Sequence, residues 1–213
     1  MQIPRRPAGL ALLIYTLGTF VALTVMQVPA GDYHLSQVHS YLTPGARVGI
    51  FVGALVGVLA ELALLYYLSA LRAGLPPGRA RDMLWGSGIA AVASAATGWM
   101  IAAAIPIAYA QGSGHVSLAP AVVYTFGVLA AGMVYGPAML FTGVAVIIAA
   151  RRIRIAPRWW RVLGYIGGAC AILSSAYFPY YLFAVYGLIV GVWGLLGKGA
   201  PVTVPQREPV TAV

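Results

Sequence analysis

The chain has 213 residues, of which 61% are hydrophobic and only 8% are charged, and its mean hydropathy is +0.88. About a quarter of the residues in a soluble globular domain are charged, because its surface faces water, so this composition excludes an ordinary soluble domain. The net charge of +9 would suggest nucleic acid in a soluble protein, but here the basic residues lie in short segments between apolar runs, and no nucleic-acid partner is expected.

Six apolar runs follow one another along the chain. Each is long enough, or nearly so, to cross about 30 Å of hydrocarbon as an α-helix, and backbone groups in lipid have no water to bond, which favours helices. In chain order the predicted spans cover residues 8–28, 48–71, 83–110, 119–150, 162–178 and 181–196. We therefore expect an all-α, polytopic transmembrane helical bundle in one domain, residues 1–198, followed by a disordered cytoplasmic tail, residues 199–213.

The last two spans are separated by a proline. The run 162–196 would be about 50 Å long as a single helix at 1.5 Å per residue, which is too long for one crossing. Pro179 disfavours helix in the residue before it. Two short helices joined by a tight turn are expected.

The basic residues predict the orientation of the chain. Lys and Arg near span ends mark the cytoplasmic side, and six crossings place 12 of the 13 on one side, leaving Arg47 on the other. Those on the cytoplasmic side are Arg5, Arg6, Arg72, Arg79, Arg81, Arg151, Arg152, Arg154, Arg158, Arg161, Lys198 and Arg207. We expect a multi-pass protein of the cell inner (plasma) membrane with both termini in the cytoplasm.

Glycines at four-residue spacing recur within the spans. Lipid gives helices no hydrophobic drive to associate, so small residues that allow close backbone approach matter more. The pairs are Gly53 with Gly57, Gly132 with Gly136, and Gly187 with Gly191. They predict either tight packing within the bundle or the seam of a homo-oligomer.

Glu61 is the only acidic residue predicted to lie inside a span. An ionised carboxylate costs several kcal/mol at that depth, so it should face the interior and be protonated or partnered. It is a candidate proton or ligand site. The structural alternative is a hydrogen bond to a neighbouring helix, for which the candidate partners are Thr16, Thr19, Thr97, Tyr135, Ser174 and Tyr186.

The fourth span carries Gly136-Pro137 near its middle, beside Tyr135. Proline removes one backbone hydrogen bond and clashes with a carbonyl, so a kink is expected. The kink could be a hinge or a fixed bend. Glu61, Tyr135 and Pro137 are the candidate ligand or proton site.

All three histidines fall in the loops predicted to face outward. His34 and His39 lie in the first of these loops with Asp32, and His115 lies in the second. Imidazole and carboxylate can bind Zn²⁺ or Cu²⁺, so a metal site at the outer face is one hypothesis. The spacing matches no tight ligand motif, and solvated loop histidines are the alternative. No other cofactor is predicted.

Known catalytic motifs are absent from the sequence. It holds no phosphate loop, no H-E-x-x-H zinc helix and no G-x-S-x-G elbow. The segments RRPAGL (5–10) and WRVLGYIGG (160–168), followed by Pro179 and Gly191, resemble six-helix bacterial inner-membrane proteins. Those proteins have no settled activity, so the resemblance implies the architecture and no site residue.

The sequence leaves three functions open. The leading interpretation is a small, non-enzymatic accessory or ligand- and lipid-binding subunit, with membrane lipid and a second copy or another membrane subunit as partners. The first alternative is a proton- or cation-coupled transporter that uses Glu61. The second is a membrane enzyme with a metal site at the outer face.

Overall fold

Every regular element of the described chain is helical. The structure, a computed structural model, describes residues 5–26, 34, 38, 42–112, 118–153, 156–176 and 179–196. The helices are α1 (Arg5–Met26), α2 (Pro44–Ala73), α3 (Arg79–Gln111), α4 (Pro120–Met133), α5 (Met139–Arg152), α6 (Arg158–Ile172) and α7 (Pro179–Leu196). A π-helical turn, Val134–Ala138, joins α4 to α5, and a 3₁₀ turn, Leu173–Ala176, extends α6. The predicted all-α fold is confirmed for these residues, and the predicted tail lies outside them.

The described helices form six rods: α1, α2, α3, α4 with the π turn and α5, α6 with its 3₁₀ turn, and α7. Four of these rods are long and apolar enough to cross a membrane. They are Arg6–Met26, Pro44–Ala73, Arg79–Gln111 and Pro120–Arg152, the last being α4, the π turn and α5 together. The rod formed by α7 is shorter, and α6 has 15 residues. Each of the six rods, with α6 and its 3₁₀ turn taken together, begins and ends within four residues of one of the six predicted spans.

Prolines mark where several helices begin. Pro44, Pro120 and Pro179 are the first residues of α2, α4 and α7. The N–H groups in the first turn of a helix have no intrahelical partner. Proline, which has no backbone N–H, therefore loses no helical hydrogen bond at that position. At α2 the preceding Thr43 also caps the helix, because its Oγ1 accepts the Ala46 N–H at 3.4 Å.

The six rods form a closed ring. Each packs against the rods before and after it in the chain, and α7 packs against α1. The fourth rod contacts α3 along α4, the π turn and α5, and contacts α6 through α5. The first and last helices are therefore neighbours.

Neighbouring rods run antiparallel, so the basic residues gather at one end of the ring. Gly9 near the start of α1 lies against Gly191 near the end of α7, and the Arg72 guanidinium at the end of α2 lies 5.0 Å from the Trp85 ring near the start of α3. This basic end carries the following arginines of the described chain: Arg5, Arg6, Arg72, Arg79, Arg81, Arg151, Arg152, Arg158 and Arg161. Arg47 lies at the opposite end, 4.9 Å from the Tyr109 ring.

Two apolar cores fill the ring at different depths. The core nearer the basic end draws on α1, α2, α5, α6 and α7 and on Leu84 of α3. The second core is formed by α1, α2, α3, α4 and the π turn. Ser174, in the 3₁₀ turn that follows α6, bonds the backbone of Tyr135 in the π turn. This 3₁₀ turn therefore lies level with the π turn, and α4 extends beyond it.

Two of the three predicted glycine pairs are packed within the ring. A methyl group placed on these glycines would meet Met26 at Gly53, Trp99 at Gly57, Thr16 at Gly187 and Leu13 at Gly191. Among the described residues, nothing lies within 4 Å of such a methyl group on Gly132 or Gly136. The first and third pairs therefore serve packing within the chain, and a homo-oligomer seam at the second stays a prediction.

Candidate functional site

Glu61 lies in the interface between α2 and α3. Its side chain is 2% exposed, as is that of Trp99 on α3. The indole Nε1–H of Trp99 donates to the Glu61 Oε1, and the two atoms are 3.4 Å apart. Gly57, one turn before Glu61, leaves space for the Trp99 indole, because a methyl group on Gly57 would lie 2.5 Å from the indole Cδ2. The acid therefore sits in a tightly packed, largely dry contact.

The partner of Glu61 differs from the residues expected as its hydrogen-bond donors. The hydroxyls of Thr16 and Thr97 instead donate to carbonyls in their own helices, those of Leu12 and Ala93, at 2.8 Å each. An indole is a donor only, so it can bond either oxygen of the carboxyl group, protonated or not. The signal in the sequence was Gly57, which leaves room for a ring, but nothing in one sequence pairs it with Trp99.

The π turn contains the other two candidate residues, Tyr135 and Pro137. Proline removes one N–H donor and a π turn shifts the hydrogen-bond ladder, so carbonyls here need other donors. Ser174 is fully buried, and its Oγ–H donates to the Tyr135 carbonyl at 2.8 Å. The break expected at Gly136-Pro137 is thus a local widening of the helix, tied to the end of α6.

Helix α3 separates Glu61 from the π turn and contacts both. Trp99 bonds Glu61 on one side of the helix. The preceding residue, Gly98, faces the other rod, since a methyl group there would lie 2.8 Å from Val134 Cγ2 and from the Ala130 carbonyl oxygen. Consecutive residues of α3 therefore connect the buried acid to the π turn, and the three candidate residues lie at a similar depth.

We expect Ser174→Ala to lower the free energy of unfolding by about 1 kcal/mol, because it removes the donor to the Tyr135 carbonyl. Equilibrium unfolding in mixed detergent micelles measures this. Thr125→Val is the matched control, since the Thr125 hydroxyl is exposed and bonds only the Ala121 carbonyl in its own helix. Equal stability of the two variants would show that the Ser174 bond does not hold the π turn.

An open groove of about 450 Å³ lies between α3 and α4 on the outer surface of the ring. Its volume falls within the range of small-molecule sites, about 300–1,000 Å³. The only polar side chain among its lining residues is Thr97, whose hydroxyl donates to its own helix. The lining residues are Ala96, Thr97, Met100, Ile101, Ala104 and Phe126. Such a groove suits an apolar chain.

The predicted metal site at the outer face falls almost wholly outside the described residues. Of its four candidates, the structure describes only His34, which is exposed, and Asp32, His39 and His115 lie outside. Within the described ranges no three His, Cys, Asp or Glu side chains meet as metal ligands. The metal hypothesis therefore stays a prediction.

Comparison of the chain with protein families, with curated proteins and with solved structures gives no match.

Proposed function

We propose that the chain is a non-enzymatic membrane subunit that crosses the bilayer six times and holds a lipid acyl chain in the groove between α3 and α4. The groove is the observation that carries the proposal. It opens outward from two rods that are apolar enough to span a membrane. Met100 and Phe126 on its walls are 56% and 39% exposed, so in a bilayer the medium that fills it is hydrocarbon.

Helix lengths support six crossings. With 15 residues in α6 and four in the 3₁₀ turn, that rod is about 30 Å long at 1.5 Å and 2.0 Å per residue. The 18 residues of α7 reach about 27 Å. Both values are close to the thickness of about 30 Å of a hydrocarbon core.

Charge supports the orientation. The basic end of the ring carries nine arginines of the described chain, against one at the opposite end. Lys and Arg are enriched in cytoplasmic loops, so this end and both termini are assigned to the cytoplasm, and the membrane to the cell inner (plasma) membrane.

Cross-linking to a phospholipid with a photoreactive acyl chain, in vesicles that contain the full chain, tests the lipid site. We expect labelling to concentrate on the peptide that carries Met100, and to fall severalfold in Ala96→Phe, whose ring fills the groove. The matched control is Ala93→Phe, at an exposed position of the same helix that does not line the groove. Uniform labelling along α3, unchanged by Ala96→Phe, would contradict the proposal.

A proton- or cation-coupled transporter is the second candidate function. What favours it is the buried Glu61, joined through α3 to a π turn, because π turns inside α-helices are frequent at functional sites and intramembrane acids mark ion pathways. A pH-sensitive dye trapped in proteoliposomes measures proton flux. Flux in the wild type that Glu61→Gln abolishes would support transport. Absence of flux in the wild type, or flux unchanged in Glu61→Gln, would end this candidate.

A further inference from the structure

The end of α5 and the start of α6 form a corner of the ring that is rich in arginine. Two arginines are the last residues of α5, and two more are the first and fourth residues of α6. The helices pack closely here, because a methyl group on Gly164 of α6 would lie 2.8 Å from the Cβ of Ala150. The α5–α6 corner, as we name this cluster, consists of Arg151, Arg152, Arg158 and Arg161.

The positive charge of the α5–α6 corner is not offset by acidic residues of the same helices. Neither α5 nor α6 contains an Asp or Glu, and at the basic end of the described chain Asp82 of α3 is the one acid beside nine arginines. Arg158 and Arg161 also lie at the N-terminus of α6, where the helix dipole is positive and destabilises a cation. An anion from outside the chain would therefore be attracted to this corner.

An exposed apolar stripe continues from the corner along α6. Its members follow Arg158 at intervals of three or four residues, so they share one face of the helix. They are Val162, Ile166, Ala169 and, at the start of the 3₁₀ turn, Leu173. The 15 residues of α6 make this stripe about 22 Å long at 1.5 Å per residue, which exceeds the half thickness, about 15 Å, of a hydrocarbon core. A charged end above an apolar stripe suits a molecule with an anionic head and an apolar chain.

Two tryptophans lie beside the corner. Trp159 of α6 is 39% exposed and meets Trp193 near the end of α7 edge to face, with ring centroids 5.1 Å apart. Indole rings favour the interface between hydrocarbon and headgroups. In a bilayer that α6 crosses, the corner therefore lies at the depth of the headgroups and the apolar stripe lies in the hydrocarbon.

We propose that the α5–α6 corner binds the phosphate group of an anionic phospholipid, and that an acyl chain of this lipid lies along the exposed stripe of α6. Guanidinium groups bind phosphate oxygens through paired, charge-assisted hydrogen bonds, and basic pockets between membrane helices hold anionic headgroups. The inference rests on the six crossings proposed above, because α6 must span the bilayer, but it does not depend on the groove between α3 and α4. It gives the ring a second lipid site, one that selects its lipid by charge.

Native mass spectrometry of the full chain, in micelles with equal amounts of dioleoyl phosphatidylglycerol and dioleoyl phosphatidylcholine, tests the site. We expect the wild type to retain phosphatidylglycerol in preference to phosphatidylcholine. Arg151→Gln combined with Arg158→Gln changes one exposed arginine on each helix. It should lower this retention by about tenfold or more, because each arginine near anionic lipid contributes roughly fivefold in affinity. The matched control, Arg79→Gln combined with Arg81→Gln, removes the same charge at the start of α3 and should leave retention nearly unchanged.

Three outcomes separate the site from its alternatives. Equal retention of the two lipids by the wild type, or equal losses in the two double variants, would show only a diffuse attraction between charges and would overturn the site. Soluble glycerol phosphate in excess should not displace the lipid, and complete displacement would overturn the assignment to a phospholipid. Ala96→Phe, which fills the groove between α3 and α4, should leave retention of phosphatidylglycerol unchanged, so failure of the groove and failure of this corner give different results.

Discussion

Gly9→Ala is expected to lower the free energy of unfolding by about 2 kcal/mol or more, since overpacking a tight contact costs about 1–3 kcal/mol and the atoms in the way here are backbone. A methyl group on Gly9 would lie 2.6 Å from the Leu195 nitrogen and 2.7 Å from the Gly191 oxygen and the Gly194 carbonyl carbon of α7. Backbone can move aside only if the whole of α7 shifts. The substitution therefore acts on the contact that closes the ring.

Equilibrium unfolding in mixed micelles, followed by tryptophan fluorescence, measures this effect. The matched control is Gly132→Ala, because the described chain has nothing within 4 Å of a methyl group at that position. There the change should be neutral or slightly stabilising, since alanine has the higher helix propensity, by about 1 kcal/mol. Equal losses in the two variants would contradict a packed α1–α7 contact.

Trp99→Phe is expected to lower the free energy of unfolding by about 1–3 kcal/mol, the cost of leaving a buried polar group without its partner. The substitution keeps an aromatic ring beside Gly57 but removes the Nε1–H that Glu61 accepts. Glu61→Gln should cost less than about 1 kcal/mol, because a glutamine oxygen at the same position can accept the same bond.

A double-mutant cycle isolates the bond from the change in ring size. Trp99→Phe should cost less in a Glu61→Leu background than in the wild type, because no buried acceptor is then left unsatisfied. Unfolding of the four proteins in the same micelles gives the coupling energy. Strictly additive losses of unfolding free energy would show that the indole and the carboxyl group do not stabilise one another. The hydrogen bond to Trp99 would then not explain why Glu61 is buried.

Much of the helical fold can be predicted from the apolar runs, because a run long enough to cross hydrocarbon favours an α-helix. The start of α7 at Pro179 agrees with the break expected from that proline, and burial is what a lone carboxyl group within an apolar run predicts for Glu61. Helix α6 begins at Arg158, four residues before the predicted span 162–178. Hydropathy counts Arg158 and Arg161 as loop, whereas Pro157 is the residue that precedes the helix.

The pairings between helices could not be predicted from one sequence. Glu61 meets an indole rather than a hydroxyl because the α2–α3 packing sets Gly57 against Trp99. Likewise Pro137 predicts a disturbed helix, but its form depends on Ser174, almost forty residues further along the chain. Closure of the ring by α1 and α7 is a contact between the two ends of the described chain, and no local pattern encodes it.

The sidedness of single cysteines tests the membrane topology most directly. Cys170→Ala first removes the only native cysteine. Three variants then each carry one new thiol: Pro76→Cys in the α2–α3 loop, Gln111→Cys at the end of α3, and Thr211→Cys in the predicted tail. A membrane-impermeant maleimide added outside intact cells should label position 111 alone, and should label positions 76 and 211 only after the membrane is opened. If position 211 is labelled together with position 111 in intact cells, or if all three positions are labelled, a bundle with both ends in the cytoplasm is contradicted.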